Sequence, residues 1–376
     1  MSGSDKKFKI LITGGGTGGH IFPAVAVAQK LKQDKDVEKI FYIGCEKNME
    51  KEIAERENLD FYSINVSGMP RKKTLKLLFW FIELFIATIK SIIYLLKLKP
   101  DVVFGTGGYV SGPVLIATTL LKIPFIIHDP DAHPGIVNKF MSRWASTVSI
   151  SFEQAKQYLK AKNIVLNGNP IRANFMHVDK KSALKELNLS AEKKTILVIG
   201  GSQGAKSINN SILASAAELI NKNFQIIHQT GAKNYEKYME ALSETHPELI
   251  DNPCYLVKPF FNKMELTLNA ADIAVSRAGS LSLSELNLCE LPSILIPFPY
   301  AAADHQRFNA RAMEEAGAAV YLEDSDCTGE KLLEIITGLF DSPEKLEQMK
   351  NANKALAKPN AADNIVEILK NIPKSK

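Results

Sequence analysis

The residues best suited to chemistry stand near the start of the chain, where a glycine-rich segment ends in a histidine. Residues 14–20 read Gly-Gly-Gly-Thr-Gly-Gly-His between a β-prone stretch and an Ala/Val-rich helix pattern. The spacing of Gly14, Gly16 and Gly19 matches the GxGxxG pattern of dinucleotide-binding loops. Backbone N–H groups of such a loop and the positive end of the next helix bind anions. His20 adds an imidazole, whose unperturbed pKa of about 6.5 suits a general base.

A second glycine-rich segment has the same context. Residues 105–113 read Gly-Thr-Gly-Gly-Tyr-Val-Ser-Gly-Pro between a strand pattern and a helix pattern. One such loop is about as often a tight turn as a ligand site. Two in one domain, each at the carboxyl end of a strand, are expected to face one another, which suits a pyrophosphate. The candidates for this site are Gly14, Gly15, Gly16, Gly105, Thr106, Gly107, Gly108 and Tyr109.

Strand and helix patterns alternate along the chain and must position these loops. The predicted strands are residues 10–13, 40–43, 61–66, 101–104, 125–128, 147–150, 164–166, 195–199, 224–228, 255–257, 273–275 and 293–296. Such alternation predicts an α/β fold with parallel sheets. A short segment with Gly and Pro, near residues 167–170, interrupts this alternation, and a second alternating stretch begins after it. We therefore predict two doubly wound, Rossmann-like domains, residues 1–168 and 169–355, that face a cleft where ligands bind.

Two features refine this organisation. The first helix pattern is predicted to begin at about Phe22-Pro23, with the proline near the first turn. The last stretch, 356–376, carries one apolar helical stripe. We predict that this helix packs back on the first domain.

The predicted second domain has three polar segments at the ends of its strands. Residues 200–205, Gly-Gly-Ser-Gln-Gly-Ala, offer Ser202 and backbone donors, and Ser280 opens a helix whose N–H groups suit a diphosphate. Glu285, one to two turns into that helix, could accept both hydroxyls of a ribose. A solvated helix glutamate is the alternative. Residues 304–309, Asp-His-Gln-Arg-Phe-Asn, suit hydrogen bonds to a sugar.

Composition narrows the class of protein. The chain has 376 residues, a net charge of +5 and four cysteines without a CxxC pair. We expect a reduced cytoplasmic protein without a structural zinc site and without nucleic acid as a partner. The N-terminus lacks the apolar run of a signal peptide.

The most hydrophobic stretch, Leu75–Leu98, invites a transmembrane interpretation. Lys76, Glu83, Lys90 and Lys97 recur every seven residues and argue against insertion. One alternative is a helix packed on the sheet. The other is a patch on anionic lipid, built from Arg71, Lys72, Lys73, Phe79 and Trp80. Both can hold, with different helix faces.

Taken together, five segments carry a resemblance. The motifs at 14–24, 105–113, 168–172, 200–205 and 276–285 resemble, in order, those of the MurG family of peptidoglycan glycosyltransferases. The resemblance implies the GT-B architecture, with a lipid acceptor at the first domain and a nucleotide-sugar donor at the second. It implies inverting transfer of N-acetylglucosamine from UDP-N-acetylglucosamine to the 4-hydroxyl of the muramyl sugar of lipid I, which gives lipid II. It also implies a peripheral enzyme on the cytoplasmic face of the bacterial plasma membrane.

The resemblance further implies site residues. Arg172 and Ser202 match positions near the diphosphate, the backbone of Phe261 a uracil contact, and Gln306 a contact to the sugar. The segment Ser280, Leu281, Ser282, Leu283, Ser284 and Glu285 matches the one around diphosphate and ribose. Thr17, Gly18 and Gly19 belong to the loop that reaches the sugar from the other domain. Asp131, in His128-Asp-Pro-Asp131, stands where the family has a sugar-contacting Asn.

The mechanism follows from these residues, with two rival classes left open. His20 would take the proton of the acceptor hydroxyl, while helix N-termini and Arg172 stabilise the leaving UDP, so neither a metal nor another cofactor is needed. A Rossmann oxidoreductase would need an acidic residue about 20 positions after the first loop, and Glu46 lies late. A non-catalytic nucleotide-sugar or membrane-binding module is the third class, and another UDP-sugar transferase acting on a lipid is a variant of the first.

Overall fold

The structure is a computed structural model that describes residues 7–46, 49–70, 75–171, 178–201 and 203–372. It divides into two compact units. Unit 1 comprises Met1–Ile171 and Lys358–Lys376, and unit 2 comprises Arg172–Ala357. Each unit is an α/β structure with its own parallel sheet.

The sheet of unit 1 has seven parallel strands in the order β3-β2-β1-β4-β5-β6-β7. The strands are β1 (Phe8–Thr13), β2 (Val37–Cys45), β3 (Asp60–Ile64), β4 (Val102–Gly105), β5 (Phe125–Asp129), β6 (Thr147–Ile150) and β7 (Ile164–Leu166). The intervening helices are α1 (Gly18–Lys32), α2 (Met49–Arg56), α3 (Leu75–Leu98), α4 (Ser111–Leu120) and α5 (Ile136–Met141), and a 3₁₀ helix spans Glu153–Tyr158. The strand order reverses between β1 and β4, which makes that edge the switch point where ligands bind in doubly wound sheets.

The sheet of unit 2 repeats this topology with six parallel strands in the order β10-β9-β8-β11-β12-β13. The strands are β8 (Lys194–Ile199), β9 (Phe224–Gln229), β10 (Tyr255–Lys258), β11 (Ile273–Ser276), β12 (Ser293–Leu295) and β13 (Ala319–Tyr321). The helices are α6 (Lys180–Glu186), α7 (Lys206–Asn221), α8 (Tyr235–Thr245), α9 (Met264–Ala270), α10 (Ser280–Leu288), α11 (His305–Glu315), α12 (Gly329–Phe340) and α13 (Pro343–Leu356), with 3₁₀ turns at Pro247–Leu249, Ala302–Asp304 and Asp324–Asp326. Here the switch point lies between β8 and β11.

Near-continuous apolar runs explain why the central strands form. Leu11 belongs to the core on one face of the first sheet, and its neighbours Ile10 and Ile12 belong to the core on the other. A parallel sheet that is covered by helices on both faces requires this pattern. The predicted α/β class with two doubly wound sheets is thereby confirmed, whereas β13 was missed by sequence reasoning.

The start of α1 differs from the prediction. The helix begins at Gly18 rather than at Phe22, and Pro23 lies inside it. Glycines have low helix propensity, so the sequence pattern becomes visible only at the first apolar residues. The correction matters because it puts His20 in the first turn of a helix, not in a preceding loop.

Helix α3 buries one face and exposes the other. Its buried residues, Ala87, Thr88, Ser91, Leu95 and Leu98, lie in the C-terminal half. The exposed apolar side chains are Leu75, Leu78, Phe79, Phe81, Ile82, Phe85, Ile86, Ile89, Ile93 and Leu96. Among the described residues, α3 is also the helix whose length and composition would allow it to cross a membrane. Its buried face packs into the core of unit 1, as the alternative of a sheet-packed helix predicts.

The helix α14 (Ala361–Asn371) belongs to unit 1. Ile365 and Leu369 are buried in the same core as the β1 and α1 side chains. Three ion pairs tie the helix down, Lys30 to Asp363 at 2.9 Å and Lys370 to Asp34 at 2.7 Å and to Asp36 at 2.6 Å. The first unit therefore needs the last described helix to complete its core.

Candidate active site

The two glycine-rich loops of unit 1 contact one another directly. They follow β1 and β4, which are neighbours in the sheet. The amide of Gly15 donates to the carbonyl oxygen of Gly107 at 3.3 Å, and the amide of Thr106 donates to Thr13 at 2.9 Å. The expectation that these loops face one another is confirmed.

His20 is fixed by reciprocal hydrogen bonds to the second loop. Its Nδ1 lies 2.9 Å from the carbonyl oxygen of Thr106, and the Thr106 hydroxyl donates to the carbonyl oxygen of His20 at 2.6 Å. A carbonyl oxygen can only accept, so Nδ1 carries the proton and Nε2 carries the lone pair. The imidazole therefore has the tautomer that a general base needs at Nε2.

The first loop is less open to an anion than its sequence indicated. Besides the Gly15 amide, the Gly16 amide is occupied, because it donates to Glu50 Oε1 at 2.6 Å. The Tyr42 hydroxyl donates to the carbonyl oxygen of Gly14 at 2.7 Å. The N–H groups that helix geometry leaves without intrahelical acceptors are those of the first α1 residues, Gly18 and Gly19, after the N-cap Thr17.

The second loop supplies both backbone turns and side chains. Gly107 and Gly108 have φ of +92° and +76°, in the left-handed region, and a Cβ at Gly108 would overlap the Gly15 carbonyl oxygen. Tyr109 lies against Gly16, where an added Cβ would approach the ring to 2.7 Å. Gly105 is buried against Leu115, so its role is helix packing rather than ligand contact.

A third segment follows β5 and carries the departure from the family pattern. His128 is buried between Ser149 and Asn169, and burial lowers its pKa to about 4, so the ring is neutral. Burial, with a smaller contribution from Asp131, raises the pKa of Asp129 to about 7. The Asp129 carboxylate accepts from the amide of Asp131 at 3.1 Å and from Asn138 Nδ2 at 2.8 Å. Asp131 is half-buried at this turn.

In unit 2, the glycine loop after β8 is held by the end of β9. Gly204 has a φ of +73°, and a Cβ there would overlap the carbonyl oxygen of Thr230. Asn234 Nδ2 donates to the carbonyl oxygen of Gln203 at 3.0 Å. These contacts fix the backbone at residues 203 and 204.

Phe261, the predicted uracil contact, is held by a residue that sequence reasoning missed. Its amide donates to Gln229 Oε1 at 3.0 Å, and Gln229 Nε2 reaches the carbonyl oxygen of Gly201 at 3.5 Å. Gln229 is buried at the carboxyl end of β9. It therefore joins the predicted base-binding segment to the predicted phosphate loop, and leaves the Phe261 carbonyl as the group that can read a base.

The helix α10 begins at Ser280, as predicted, after the N-cap Gly279. The N–H groups of Ser280, Leu281 and Ser282 have no intrahelical acceptor by position, and N–H groups at a helix N-terminus are suited to binding an anion. The Leu283 side chain is fully buried and its amide donates to Gly279 at 3.0 Å, so Leu283 acts in packing.

Ser284 and Glu285 follow Leu283 in this helix. The Ser284 hydroxyl is bonded back to Ser280 at 2.9 Å. Glu285 is half-buried in the second turn of α10.

Arg277, directly before this helix, is a buried structural cation. Its Nη1 donates to the carbonyl oxygens of Ile296 and Pro297 at 3.1 and 3.0 Å, and pairs with Asp324 Oδ1 at 2.5 Å. Its Nη2 donates to the Ser207 hydroxyl at 3.0 Å. These bonds fix the loop that follows β12.

That loop also bonds to the predicted sugar contact. Gln306 lies at the start of α11, and its Oε1 accepts from the amide of Phe298 at 3.0 Å. Its Nε2 amide then remains as the donor toward a ligand. Asn309 Nδ2 donates to the carbonyl oxygen of Ala278 at 3.2 Å, which ties α11 to the segment before α10.

Several predicted residues lie outside the part of the chain that the structure describes. These are Arg172 and Ser202 of the diphosphate site, and Arg71, Lys72 and Lys73 of the membrane patch. Of the remaining patch residues, Phe79 is exposed, whereas Trp80 turns inward and donates to the carbonyl oxygen of Ser67 at 2.9 Å. Within the described ranges, no group of three or more His, Cys, Asp or Glu side chains is arranged to hold a metal ion.

The comparisons with known proteins agree over both units. The chain matches the family model of the glycosyltransferase family 28 N-terminal domain over residues 10–150 and that of the C-terminal domain over residues 195–365. It is 41% identical to the UDP-N-acetylglucosamine--N-acetylmuramyl-(pentapeptide) pyrophosphoryl-undecaprenol N-acetylglucosamine transferase of Bacillus pumilus, covering 97% of this chain and 99% of that protein. The Bacillus subtilis protein of the same name is 37% identical, with 97% and 100% covered.

Solved structures show the same architecture. The crystal structure of Acinetobacter baumannii MurG has a TM-score of 0.78 at 27% identity, covering 97% of this chain and all of that one. A UDP-GlcNAc 2-epimerase from Neisseria meningitidis, at 18% identity and a TM-score of 0.65 over 96% of this chain, shares the fold alone. The match over nearly the full length to curated relatives, together with both domain models, supports one conclusion. The chain belongs to the MurG family of UDP-N-acetylglucosamine-dependent glycosyltransferases, within glycosyltransferase family 28.

Proposed function

We propose that this chain transfers N-acetylglucosamine from UDP-N-acetylglucosamine to the 4-hydroxyl of the muramyl sugar of lipid I, with inversion, and that His20 is the general base. The observation that carries the residue-level proposal is the bond of His20 Nδ1 to the Thr106 carbonyl oxygen at 2.9 Å. Because Nδ1 holds its proton there, Nε2 is the basic atom. No cofactor takes part in the proposed reaction.

The proposed step balances as a single displacement. The acceptor 4-hydroxyl gives its proton to His20 Nε2 as its oxygen attacks the anomeric carbon of the donor sugar. The bond from that carbon to the diphosphate oxygen breaks, and UDP leaves with the electron pair. Attack from the face opposite the leaving group inverts the anomeric centre.

Unit 2 is the proposed donor domain. The N–H groups at the start of α10 suit the charge that develops on the leaving diphosphate, since they point along the positive end of the helix. Glu285 would accept the ribose hydroxyls, the Phe261 carbonyl would accept from uracil, and the amide of Gln306 would donate to the sugar. Hydrogen bonds within unit 2 hold the Phe261 amide and the Gln306 side chain, which supports these two contacts.

Unit 1 is the proposed acceptor domain. The N–H groups of Gly18 and Gly19, with the turn at Gly107 and Gly108, are the proposed contacts to the pyrophosphate and the sugar. Asp131 is proposed to face the same ligands from the β5 loop. An acidic side chain cannot reproduce the donor half of an Asn amide, so this contact is limited to accepting from hydroxyls.

The exposed apolar face of α3 is the proposed membrane contact on the cytoplasmic side of the bacterial plasma membrane. Phe79, Phe85 and Leu75 are each about two thirds exposed or more, at 68%, 66% and 78%. Contiguous apolar surface of this kind marks an interaction site. The opposite face of the helix is buried in unit 1, which supports peripheral attachment rather than a span.

Transfer of radiolabelled sugar tests the reaction. Incubation of the full chain with labelled UDP-N-acetylglucosamine and an undecaprenyl-pyrophosphoryl muramyl-peptide should give a labelled lipid product with the inverted linkage. UDP-glucose and UDP-galactose serve as donor controls. Nicotinamide-dependent turnover without sugar transfer would favour the oxidoreductase class, and donor binding without transfer would favour a binding module.

Vesicle binding tests the membrane contact. Replacing Phe85 and Ile89 by Glu should lower co-sedimentation with phosphatidylglycerol vesicles about tenfold or more, because burial of one such side chain is worth about 1.5–3 kcal/mol. Ile250→Glu, at an exposed apolar site of unit 2, is the matched control. Unchanged binding of the double variant would contradict the proposal, and neutralising Arg71, Lys72 and Lys73 tests the basic part of the patch separately.

A further inference from the structure

We propose that Glu50 is a positioning residue for the transfer reaction, which holds the first glycine loop and thereby the first turn of α1 that carries His20. This inference rests on the proposed role of His20. Glu50 lies outside both glycine-rich segments, in the first turn of α2. No sequence motif marked it, and its position in the fold gives it this role.

The contact of Glu50 with the loop is short and buried. Glu50 is the second residue of α2 and is fully buried, with 0% of its surface exposed. Its Oε1 accepts from the Gly16 amide at 2.6 Å. Hydrogen bonds from backbone amides to a carboxylate are shorter and stronger than those between neutral groups.

Two glycines make room for this side chain. A Cβ at Gly15 would overlap the Glu50 carboxylate, and a Cβ at Gly44 would come within 2.9 Å of Glu50 Cβ. One of these glycines belongs to the glycine-rich loop and the other to β2. The Glu50 carboxylate therefore explains the absence of a side chain at Gly15, and Glu50 Cβ together with the Phe61 ring explains it at Gly44.

A tyrosine completes the arrangement on the same side of the loop. The Tyr42 hydroxyl donates to the Gly14 carbonyl oxygen at 2.7 Å. Burial, and to a smaller extent the charge of Glu50, raises the pKa of Tyr42, which keeps its hydroxyl protonated as a donor. Glu50 accepts from the Gly16 amide and Tyr42 donates to the Gly14 carbonyl oxygen, so two consecutive peptide groups of the loop are held in place.

Gly16 and His20 are close together in the chain, so a bond that holds Gly16 also affects the position of the histidine. Gly16 precedes Thr17, the N-cap of α1, whose carbonyl oxygen accepts from the amide of His20 at 3.1 Å. Gly16 itself has a φ of +87°, a conformation that glycine adopts readily, so the bond of its amide to Glu50 is one of the contacts that select it. Release of the Gly16 amide would therefore loosen the turn on which the His20 side chain stands. A displacement of about 1 Å at a reacting group costs on the order of 10²-fold in rate.

The experiment compares three substitutions at this position in the full chain. Glu50→Gln keeps an acceptor oxygen at the same reach, and we expect kcat within about threefold of the parent. Glu50→Ala removes the acceptor and Glu50→Asp withdraws it by one methylene, and we expect each to lower kcat by about 10- to 100-fold. The calorimetric Kd for UDP should stay within about twofold, because the proposed nucleotide contacts, namely Phe261, Glu285 and the α10 amides, lie in unit 2.

The controls separate this inference from the proposed role of His20. Glu52→Ala, at an exposed site on the same helix, should leave all constants unchanged. His20→Ala reports on the base: if it retains near-parental kcat, the proposed mechanism fails, whatever Glu50 does. If His20→Ala is inactive while Glu50→Ala and Glu50→Asp keep parental kcat, the positioning role of Glu50 is overturned. Loss of activity in Glu50→Gln equal to that in Glu50→Ala would also overturn it, since the hydrogen bond would then not be the cause.

Discussion

The two switch points of the molecule have the same topology, but the buried side chains that hold their loops carry opposite charges. In unit 1 the loop after β1 lies against the carboxylate of Glu50, which accepts from the Gly16 amide. In unit 2 Arg277, in the loop after β11, donates to two carbonyl oxygens of the loop after β12 and pairs with Asp324. The first arrangement uses up amide donors and presents an imidazole, whereas the second leaves the α10 amides available to an anion. A glycine-rich loop at a switch point is therefore not by itself a phosphate site. The charged side chain that bonds to the backbone there decides which amide groups remain for a ligand.

Removing the imidazole of His20, which the loops of unit 1 present, is expected to have the largest effect on activity. His20→Ala should lower kcat by about 10²- to 10⁴-fold, the usual range for loss of a general base. The Kd for UDP should be unchanged by calorimetry, since unit 2 is untouched. His246→Ala in unit 2 is the matched control, and near-parental kcat in His20→Ala would remove His20 as the base.

A smaller effect is expected at the proposed ribose contact. Glu285→Ala should raise the Kd for UDP by about 10- to 100-fold, because hydrogen bonds to a charged group are worth about 1.5–3 kcal/mol. The kcat at saturating donor should change little, which contrasts with His20. Glu236→Ala, an exposed glutamate in the first turn of α8, should bind UDP like the parent. Equal UDP affinity in both variants would assign Glu285 to the solvated surface.

The smallest effect is expected from replacing the buried guanidinium of Arg277. Arg277→Lys keeps the charge near Asp324 but cannot also reach both carbonyl oxygens and Ser207, since a lysine lacks the planar fork. We expect the donor KM to rise about fivefold with kcat within about twofold, because the loop whose Phe298 amide bonds to Gln306 loses its support. Steady-state kinetics with varied UDP-N-acetylglucosamine measure this. A fall in kcat at unchanged KM would instead make the two switch points alike in function.

Much of the fold could be predicted because apolar runs mark buried parallel strands. The strands that flank both switch points were placed to within a residue or two, and α10 was predicted to begin at Ser280, as it does. The strand β13 was missed because three residues, Ala319–Tyr321, carry too little pattern. The start of α1 was placed late because Gly18 and Gly19 gave no apolar signal.

The site was harder to predict than the fold for a physical reason. Motif spacing identifies residues that lie together along the chain, such as His20 with its glycines. Glu50 and Gln229 act on these motifs from other strands and helices, at sequence separations of 34 and 32 residues from Gly16 and Phe261. A single buried Glu or Gln has no local pattern, so only the folded contacts reveal it.

The helix α14 has a consequence for the synthesis of the protein. Ile365 and Leu369 complete the same hydrophobic core as Phe8 and Ile10 of the first strand. The residues of unit 2 come between them in the chain. On the ribosome, unit 2 is therefore fully synthesised, and free to fold, while unit 1 still lacks part of its core. The domain that begins first is the one that can finish folding only after the last helix has left the exit tunnel, an inversion of the usual N-terminal-first order.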